Sequence, residues 1–213
     1  MSNDRSMYAK FAAAYVRGTL PDIATPDESE TVAVGRARGL KLYPFKRSAQ
    51  LPRVRAVLGV LRSLTPATLL DIGSGRGVFL WPLLDEFPEL AVTAIEITGK
   101  RLGVLEAVRR GGIDRLSVGR MDATRLAFAD RTFDVVTVLE VLEHLERPDL
   151  AAQEAVRVAR RAVIASVPSK ADDNPEHIRL FHRSTLTRLF ADAGAPKAKI
   201  EYVLNHMVCV VTR

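Results

Sequence analysis

The sequence predicts an α/β protein with a doubly wound, mainly parallel sheet and helices on both of its faces. From residue 66 onward, short apolar strands alternate with amphipathic helices, and repeated units of this kind favour a parallel sheet. Only Leu204 and Asn205 separate the last two predicted strands. Because so short a link cannot make a parallel crossover, we expect the final strand to run antiparallel.

Each element after residue 66 follows from a local pattern of apolar spacing and end signals. The predicted strands span residues 68–72, 91–96, 115–118, 133–139, 162–167, 198–203 and 206–212. The predicted helices between them span residues 78–87, 99–110, 149–160 and 185–193. Ser184 is expected to cap the last of these helices, which Gly194 and Pro196 terminate.

Residues 1–65 are predicted to form a helical cap that precedes the domain at residues 66–213. A first helix is indicated by residues at positions i, i+3, i+4 and i+7, namely Tyr8, Phe11, Ala12 and Tyr15. A second helix is expected to begin with Thr25 as its N-cap, with Glu28 closing a capping box. A third helix is predicted over residues 51–63.

The composition is that of a single globular domain. The chain has 213 residues, of which 47% are hydrophobic and 26% are charged. No apolar run approaches the roughly 18–20 residues that a membrane-spanning helix needs, and residues 1–5 lead into no apolar signal region. The one cysteine, Cys209, can form neither an intrachain disulfide nor a thiolate metal cage. We therefore expect a cytoplasmic protein without a membrane partner.

Positive charge is concentrated ahead of the domain. Residues 31–65 carry eight basic side chains and no acidic one, whereas the rest of the chain has 23 basic and 25 acidic residues. Such a stretch attracts phosphate, acidic substrates or nucleic acid, or else forms a solvated helical face. We hypothesise that Lys46 or Arg47 contacts an anionic group of a ligand. Four aromatic side chains of the cap are candidate ligand contacts: Tyr8, Tyr15, Tyr43 and Phe45.

A glycine-rich turn, with Gly73, Gly75 and Gly77, follows the first predicted strand. Glycine lets the backbone turn tightly and lets a ligand approach where a Cβ would collide. By itself this turn is typical of many nucleotide-binding folds. Asp71 directly before it would repel a pyrophosphate, whereas it would stabilise a ligand that carries an ammonium group.

Two further acids follow the next two predicted strands. Glu96 ends the second strand, where a carboxylate can accept hydrogen bonds from two ribose hydroxyls. Asp122 follows the third strand and is placed to meet an adenine amino group. Because the carboxyl ends of parallel strands converge where the sheet order reverses, we expect both acids and Asp71 to surround one ligand. A ligand with ammonium, ribose and adenine groups satisfies all three.

These motifs resemble the successive motifs of class I S-adenosylmethionine-dependent methyltransferases over roughly residues 66–213. The resemblance is carried by Leu70-Asp-Ile-Gly-Ser-Gly-Arg-Gly77, Glu96, Asp122 and Phe133-Asp-Val-Val-Thr-Val-Leu-Glu-Val-Leu-Glu-His-Leu145. It implies S-adenosylmethionine as cofactor and seven strands in the order 3-2-1-4-5-7-6, with strand 7 antiparallel. It places Asp71 by the methionine moiety, Glu96 on the ribose and Asp122 on the adenine. The implied cofactor-binding set is Asp71, Gly73, Ser74, Gly75, Gly77, Glu96, Ile97, Asp122, Ala123 and Glu140.

Glu140, Glu143 and His144 are spaced at i, i+3 and i+4, as on one face of a helix. With His177 or His182 they resemble the metal ligands of small-RNA 2′-O-methyltransferases, in which carboxylates and imidazoles would bind magnesium or manganese. The same Glu-Val-Leu-Glu-His motif also resembles the post-strand motif of metal-free small-molecule methyltransferases. We therefore assign no metal ligand from the sequence.

A charged stretch that contains prolines follows the fifth predicted strand, and we expect it to form a loop over the active site. His177 in this loop is the candidate general base, and a hydrogen bond that stabilises the loop is the alternative interpretation. Glu143 and His144 join it as candidate catalytic residues. His182 is expected to be structural, as is His206 in the terminal hairpin, away from the crevice at the strand ends.

The predicted function is methyl transfer from S-adenosylmethionine to an O, N or C nucleophile of a small-molecule acceptor, for which an anionic compound is one option. A sulfonium is an activated methyl donor, so holding donor and acceptor in line supplies much of the rate. One rival is an RNA methyltransferase that uses the basic stretch, including metal-assisted 2′-O-methylation. The others are an NAD-linked oxidoreductase, which Asp71 and Asp122 disfavour, and a non-catalytic protein that binds S-adenosylmethionine.

Overall fold

The computed structural model describes residues 7–23 and 25–212. These residues form seven strands: β1 (Thr68–Ile72), β2 (Ala91–Ile95), β3 (Leu116–Gly119), β4 (Phe133–Leu139), β5 (Ala159–Pro168), β6 (Lys197–Val203) and β7 (His206–Thr212). They make one sheet in the order β3-β2-β1-β4-β5-β7-β6. Strands β1 to β5 pair in parallel, and β7 runs antiparallel to both β5 and β6. The predicted fold class and strand order are confirmed.

Helices cover both faces of this sheet. The described residues form α1 (Ala9–Thr19), α2 (Glu28–Ala37), α3 (Pro52–Leu64), α4 (Leu80–Glu86), α5 (Gly99–Arg110), α6 (Pro148–Val158) and α7 (Arg183–Asp192). Leu69 belongs to a core shared with α1, α3, α4 and α5, whereas its neighbour Leu70 belongs to a core shared with α6 and α7. Because successive side chains of a strand point to opposite faces, the two cores lie on opposite sides of the sheet.

The first N-terminal helix packs directly on the domain. Helix α1 crosses α5 so closely that a Cβ on Gly111, just after α5, would lie 1.8 Å from the carbonyl oxygen of Ala14. Only glycine permits this approach of the two backbones. Helices α2 and α3 also contribute buried residues to the core on this face, among them Val32 and Leu58.

Trp81 at the start of α4 connects the N-terminal segment to the glycine-rich turn. Its ring lies 5.7 Å from that of Phe11 and 5.2 Å from that of Phe45, between centroids. Its indole N–H is shared between the carbonyl oxygens of Pro44, at 3.0 Å, and Arg76, at 3.1 Å. The position of the turn is thus fixed in part by residues far upstream of it.

The predicted cap of the second helix is wrong. Helix α2 begins at Glu28 with Asp27 as its N-cap, since the Asp27 carboxylate accepts a hydrogen bond from the Glu30 N–H at 2.7 Å. Thr25 instead donates its hydroxyl to the Glu30 carboxylate at 2.6 Å. A run of residues that can each cap a helix does not determine by itself which one does.

Helix α7 also begins earlier than predicted, with His182 in the N-cap position instead of Ser184. Thr185 Oγ1 accepts the backbone N–H of His182 at 2.9 Å, which satisfies a donor at the helix start. Helix α6 ends at Val158 because β5 already begins at Ala159.

Among the described residues, no helix combines the length and the apolar character that crossing a bilayer requires.

Candidate functional site

A cavity of about 700 Å³ opens at the carboxyl ends of the parallel strands. The crevice at this edge, where strand order reverses beside β1, is the ordinary ligand site of open α/β sheets. The predicted site residues that line the cavity are Asp71, Gly73, Ser74, Gly75, Glu96, Ile97, Asp122, Ala123, Glu140, His144 and His177. The structure therefore brings together the three strand-end acids, as the sequence led us to expect. Gly77 and Glu143 are not among the described lining residues.

The glycine-rich turn uses its glycines for two purposes. Gly73, Gly75 and Gly77 all have positive φ, of 70°, 58° and 79°. A Cβ on Gly77 would lie 2.1 Å from Cε2 of the Trp81 ring, so this glycine makes room for the indole. Gly73 and Gly75 line the cavity and shape the backbone around it.

Asp71 at the end of β1 is a buried carboxylate with an incomplete set of partners. Its side chain accepts the hydroxyl of Thr137 at 2.7 Å through Oδ1. Its Oδ2 is buried and has no hydrogen-bond partner among the residues that the structure describes. Burial raises the pKa of Asp71 from 3.8 to about 6, despite hydrogen bonds to the side chain. An orphaned carboxylate oxygen of this kind fits a ligand that brings a cationic, hydrogen-donating group.

Glu96 anchors the loop after β2 and faces the same cavity. Oε1 accepts the N–H groups of Ile97 and Thr98, both at 3.0 Å, and Oε2 accepts the Gly75 N–H at 3.0 Å. The side chain thereby ties the loop to the glycine-rich turn. With one hydrogen bond on Oε2, acceptor capacity for a ligand hydroxyl remains on that oxygen.

Asp122, the third acid, also lines the cavity, and hydrogen bonds hold its side chain in one orientation. Its Oδ1 accepts both the N–H and the hydroxyl of Thr124, each at 2.8 Å. These hydrogen bonds hold the pKa of Asp122 below its usual range, so the group is ionised at neutral pH. Both bonds end on Oδ1, which leaves Oδ2 for a donor on a ligand.

Glu140 does not share a helical face with Glu143 and His144, contrary to the sequence prediction. It follows β4 with a φ of 56°, in the left-handed region, whereas Leu142–His144 forms a separate 3-10 helix. Non-glycine residues in this region carry strain that the surrounding structure must hold. The spacing predicts a continuous helix, but the left-handed residue Glu140 separates β4 from the 3-10 helix and prevents one.

Two partners hold Glu140, and the sequence reasoning missed both of them. Ser166 at the end of β5 donates its hydroxyl to Oε1 at 2.6 Å, and His206 Nε2 lies 3.0 Å from Oε2. Burial alone would raise the pKa of Glu140, but these contacts outweigh it and hold the pKa below its ordinary value. His206 was expected to lie away from the crevice, which is wrong. Because β7 is antiparallel, its first residue lies at the edge where the parallel strands end.

Glu143, His144 and His177 form a cluster beside the cavity. One ligand atom from each of the three side chains lies within 4.8 Å of the others. Burial, and then the nearby Glu140 carboxylate, raises the pKa of Glu143 to about 8. His177 Nδ1 contacts Asp172 Oδ1 at 2.8 Å, and the two imidazole rings meet edge to face at 4.8 Å between centroids. The loop after β5 thus covers the cavity edge, as predicted.

Helix α3 supplies a positive side chain that the sequence analysis did not single out. Arg53 lines the cavity together with Val54 and Val57. The described lining residues include neither Lys46 nor Arg47, the two residues that we expected to meet an anion. They also include none of the four cap aromatics proposed as ligand contacts, Tyr8, Tyr15, Tyr43 and Phe45. The stretch contains eight basic residues, and nothing in the sequence distinguishes Arg53 from the other seven as the one that lines the cavity.

Arg47 and the aromatic residues have structural partners instead. Arg47 pairs with Asp85 at 3.3 Å, and its guanidinium lies 5.0 Å from the centroid of the Tyr8 ring. Phe45 is buried in the core beside Trp81, and Tyr43 is half exposed. The N-terminal segment therefore reaches the cavity through α3.

Comparison with known families identifies this arrangement. A family model described as "Methyltransferase domain" matches residues 70–166. Malonyl-[acyl-carrier protein] O-methyltransferase of Methylococcus capsulatus is 32% identical over 190 residues, which cover 87% of this chain and 69% of the relative. Ubiquinone/menaquinone biosynthesis C-methyltransferase UbiE of Brucella abortus is 32% identical over 96 residues, 44% of this chain and 36% of the relative.

Solved structures share the fold at low sequence identity. A SAM-dependent methyltransferase from Aquifex aeolicus matches with a TM-score of 0.63 and 20% identity, covering 77% of this chain and 90% of that one. The N-terminal domain of EvdMO1, solved with SAH and D-fucose, matches with a TM-score of 0.60 and 18% identity. It covers 77% of this chain and 84% of that one. These similarities show that the chain has the same Rossmann-like fold as these structures.

The sheet order and the strand-end acids define a Rossmann-like nucleotide-cofactor domain. With the family match, they establish that the chain belongs to the class I S-adenosylmethionine-dependent methyltransferases. Its cofactor is S-adenosylmethionine.

Proposed function

We propose that this methyltransferase acts on a small acceptor that carries an anionic group. The observation that carries the proposal is one cavity of about 700 Å³ that holds the three strand-end acids together with Arg53 on α3, Arg76 in the glycine-rich turn and Arg101 on α5. Pockets for small molecules typically measure roughly 300–1,000 Å³. Cofactor and acceptor would share this space, so that methyl donor and nucleophile are held next to each other.

Asp71, Glu96 and Asp122 would hold the cofactor. The buried Oδ2 of Asp71 fits the ammonium group of the methionine moiety, since it is otherwise unpaired among the described residues. Oε2 of Glu96 would accept a ribose hydroxyl, and Oδ2 of Asp122 would accept from the adenine amino group. When bound, S-adenosylmethionine supplies a methyl group that its sulfonium already activates.

The remaining predicted cofactor contacts lie along the same wall. Gly73, Ser74 and Gly75 would approach the methionine moiety, while Ile97 and Ala123 flank the adenine position. Ile97 is half exposed, which suits an apolar side chain that a flat aromatic base would cover. Gly77 would contribute through Trp81, by allowing the turn to fold. Glu140 would face the methyl-transfer position between cofactor and acceptor.

The acceptor would lie on the side of α3, where Arg53 offers a guanidinium. Arginine binds carboxylates and phosphates through two parallel hydrogen bonds. A relative named for malonyl-[acyl-carrier protein] O-methylation supports an acid as acceptor, because a malonyl group attached at one end keeps a free carboxylate. The curated relatives named for quinone biosynthesis support small acceptors more generally.

The basic stretch gives little support to an RNA acceptor. Among the residues that the structure describes, at least three of its eight basic side chains pair with acids outside the stretch, in Arg38–Asp22, Arg47–Asp85 and Arg62–Glu86. Charges that are already paired contribute less to the electrostatic attraction that RNA binding depends on. The stretch is better explained as a surface whose arginines are held by neighbouring acids.

His177 can remove a proton where the acceptor has one to lose. In the neutral imidazole, Nδ1 carries the hydrogen that it shares with the Asp172 carboxylate, and Nε2 then has a lone pair that can accept the proton. A carboxylate that orients an imidazole in this way is the usual arrangement of a general base. Glu143 and His144 would support it from the adjacent 3-10 helix.

The proposal is tested by supplying S-adenosylmethionine with a panel of small acids, their amides and a small-RNA control. Formation of S-adenosylhomocysteine is followed by mass spectrometry. Turnover with an acid and not with its amide is expected. If every acid fails while the protein still binds the cofactor, the anionic acceptor is excluded.

A variant pair then locates the anion. Arg53→Gln should raise KM for the acid at least tenfold and leave the Kd of S-adenosylmethionine within twofold. Arg55→Gln, an exposed position on the same helix, is the matched control and should leave both constants unchanged. A weakened cofactor Kd in Arg53→Gln would instead assign Arg53 to the carboxylate of the cofactor.

A further inference from the structure

The cluster of Glu143, His144 and His177 brings three electron-pair donors to one place. Glu143 is fully buried, and neither of its carboxylate oxygens has a hydrogen-bond partner among the described residues. A buried carboxylate without any partner is costly, so it calls for a specific explanation. One ring nitrogen of each histidine lies within 4.8 Å of a Glu143 oxygen.

The hydrogen bonds of the two histidines fix which nitrogen is free. His144 Nδ1 lies 2.9 Å from the backbone oxygen of Glu176, and His177 Nδ1 lies 2.8 Å from a carboxylate oxygen of Asp172. Because these oxygens only accept, the neutral form of each imidazole carries its proton on Nδ1 and has its lone pair on Nε2. Histidines that bind metals are nearly always held in this way, with the second nitrogen donating to a carbonyl or carboxylate.

We propose that Glu143, His144 and His177 bind a divalent transition-metal ion at the edge of the methyl-transfer cavity. Two imidazoles and one carboxylate are a donor set that suits zinc, iron or manganese. His144 and His177 line the cavity, so coordination positions not filled by protein would face it. An acceptor oxygen could occupy such a position, and the cation would make its proton easier to lose.

The distances allow the site to close around an ion. Ligand atoms about 2.1 Å from a tetrahedral zinc ion lie about 3.4 Å from one another. Atoms within 4.8 Å therefore need to approach by up to about 1.4 Å. Glu143 and His144 are neighbours on one short 3-10 helix, whereas His177 lies on the loop between β5 and α7, so closure of the site would require this loop to move toward the 3-10 helix.

This ligand set differs from the one suggested by the motif alone. Glu140 is held by His206 and Ser166, and His182 lies at the start of α7. In the metal-loaded protein, Nε2 of His177 would be a ligand, and removal of the acceptor proton would depend on the cation instead. The inference goes beyond the proposed acceptor, and its readout is metal binding.

Metal binding is measured by calorimetry on the tag-free full chain after chelator treatment, with ZnCl₂ and MnCl₂ as probes. One ion per chain is expected to bind. His177→Ala and Glu143→Gln should each weaken the better-bound ion at least tenfold. Asp172→Asn, which keeps the ligands and removes only the partner of His177, should weaken it by about 10–100-fold.

His182→Ala is the matched control, because this exposed histidine lies outside the cluster. It should bind the ion like the unmodified protein. Circular dichroism verifies the fold of each variant, and loss of the visible Co²⁺ absorption in His177→Ala provides a readout at the metal itself. The proposal is overturned if neither ion binds at one per chain, or if His182→Ala and His177→Ala behave alike.

Discussion

Replacing Asp71 by Asn tests the central electrostatic feature of the cofactor site. The substitution keeps the shape of the side chain and an acceptor oxygen for the Thr137 hydroxyl, but it removes the negative charge. We expect opposite effects on stability and on cofactor affinity. The folded protein no longer has to bury an ionised carboxylate, while the ammonium group of the cofactor loses its counter-ion.

The magnitude follows from the pKa of Asp71, which burial raises from 3.8 to about 6. Such a rise means that the folded state disfavours the ionised form by about 3 kcal/mol, at about 1.36 kcal/mol per pH unit. Asp71 is protonated in both states below pH 3.8, and the penalty develops as the pH rises toward 6 and is complete above it. Integrating the linkage relation, roughly half of the penalty, about 1–2 kcal/mol, should appear between pH 5 and pH 8.

The assay is urea unfolding of the protein and of Asp71→Asn at pH 5, 6, 7 and 8, followed by fluorescence of the single, buried Trp81. Relative to the unmodified protein, the variant's free energy of unfolding should rise by about 1–2 kcal/mol from pH 5 to pH 8. Comparing the two proteins at each pH cancels the other titrating groups. Cofactor affinity should fall at least tenfold in the variant. Parallel stability curves would refute the buried, ionisable Asp71, and unchanged affinity would refute its role toward the ammonium group.

Three further substitutions test other parts of the site. Glu96→Ala should weaken cofactor binding by about 1.5–3 kcal/mol, the range for hydrogen bonds to charged groups, and unchanged calorimetric affinity in a folded variant would contradict the ribose assignment. Gly77→Ala should destabilise the fold by about 1–3 kcal/mol or more, because its Cβ would meet the Trp81 ring and its φ is positive. A melting temperature equal to that of the unmodified protein would show that the turn adapts. His206→Gln should raise the pKa of Glu140 and move the acidic limb of the kcat profile to higher pH, whereas a mere structural role would lower kcat at every pH.

The part of the site that the sequence predicted lies on consecutive strand–turn–helix units. Asp71 lies at the end of β1, and Glu96 and Asp122 follow β2 and β3, three strands that are each recognisable from their own residues. Parallel strands connected by helices must end at the same edge, so local recognition of three strands is sufficient to place the three acids together. The resemblance to a known family then supplied the strand order, which the structure confirms.

The missed residues reach the cavity by routes that no local pattern reports. Arg53 faces it because of how α3 packs on the sheet, and seven other basic residues in the same stretch do not differ from it in sequence terms. His206 reaches Glu140 because an antiparallel strand begins where its parallel neighbours end. The sequence predicted that this strand is antiparallel, but we expected its first residue, His206, to lie away from the edge of the sheet that forms the cavity.

The sequence by itself determined the α/β class, the glycine turn and the edge at which a cofactor with an adenosyl group would bind. These properties depend on the spacing of residues within single elements and on the direction in which each strand runs. Only the tertiary structure decided that Glu140 turns to His206, that His144 and His177 meet over a buried Glu143, and that Arg53 enters the cavity. Such contacts join residues that are far apart in the chain. Their distances depend on how the elements pack, and this packing leaves no periodic signal in the sequence.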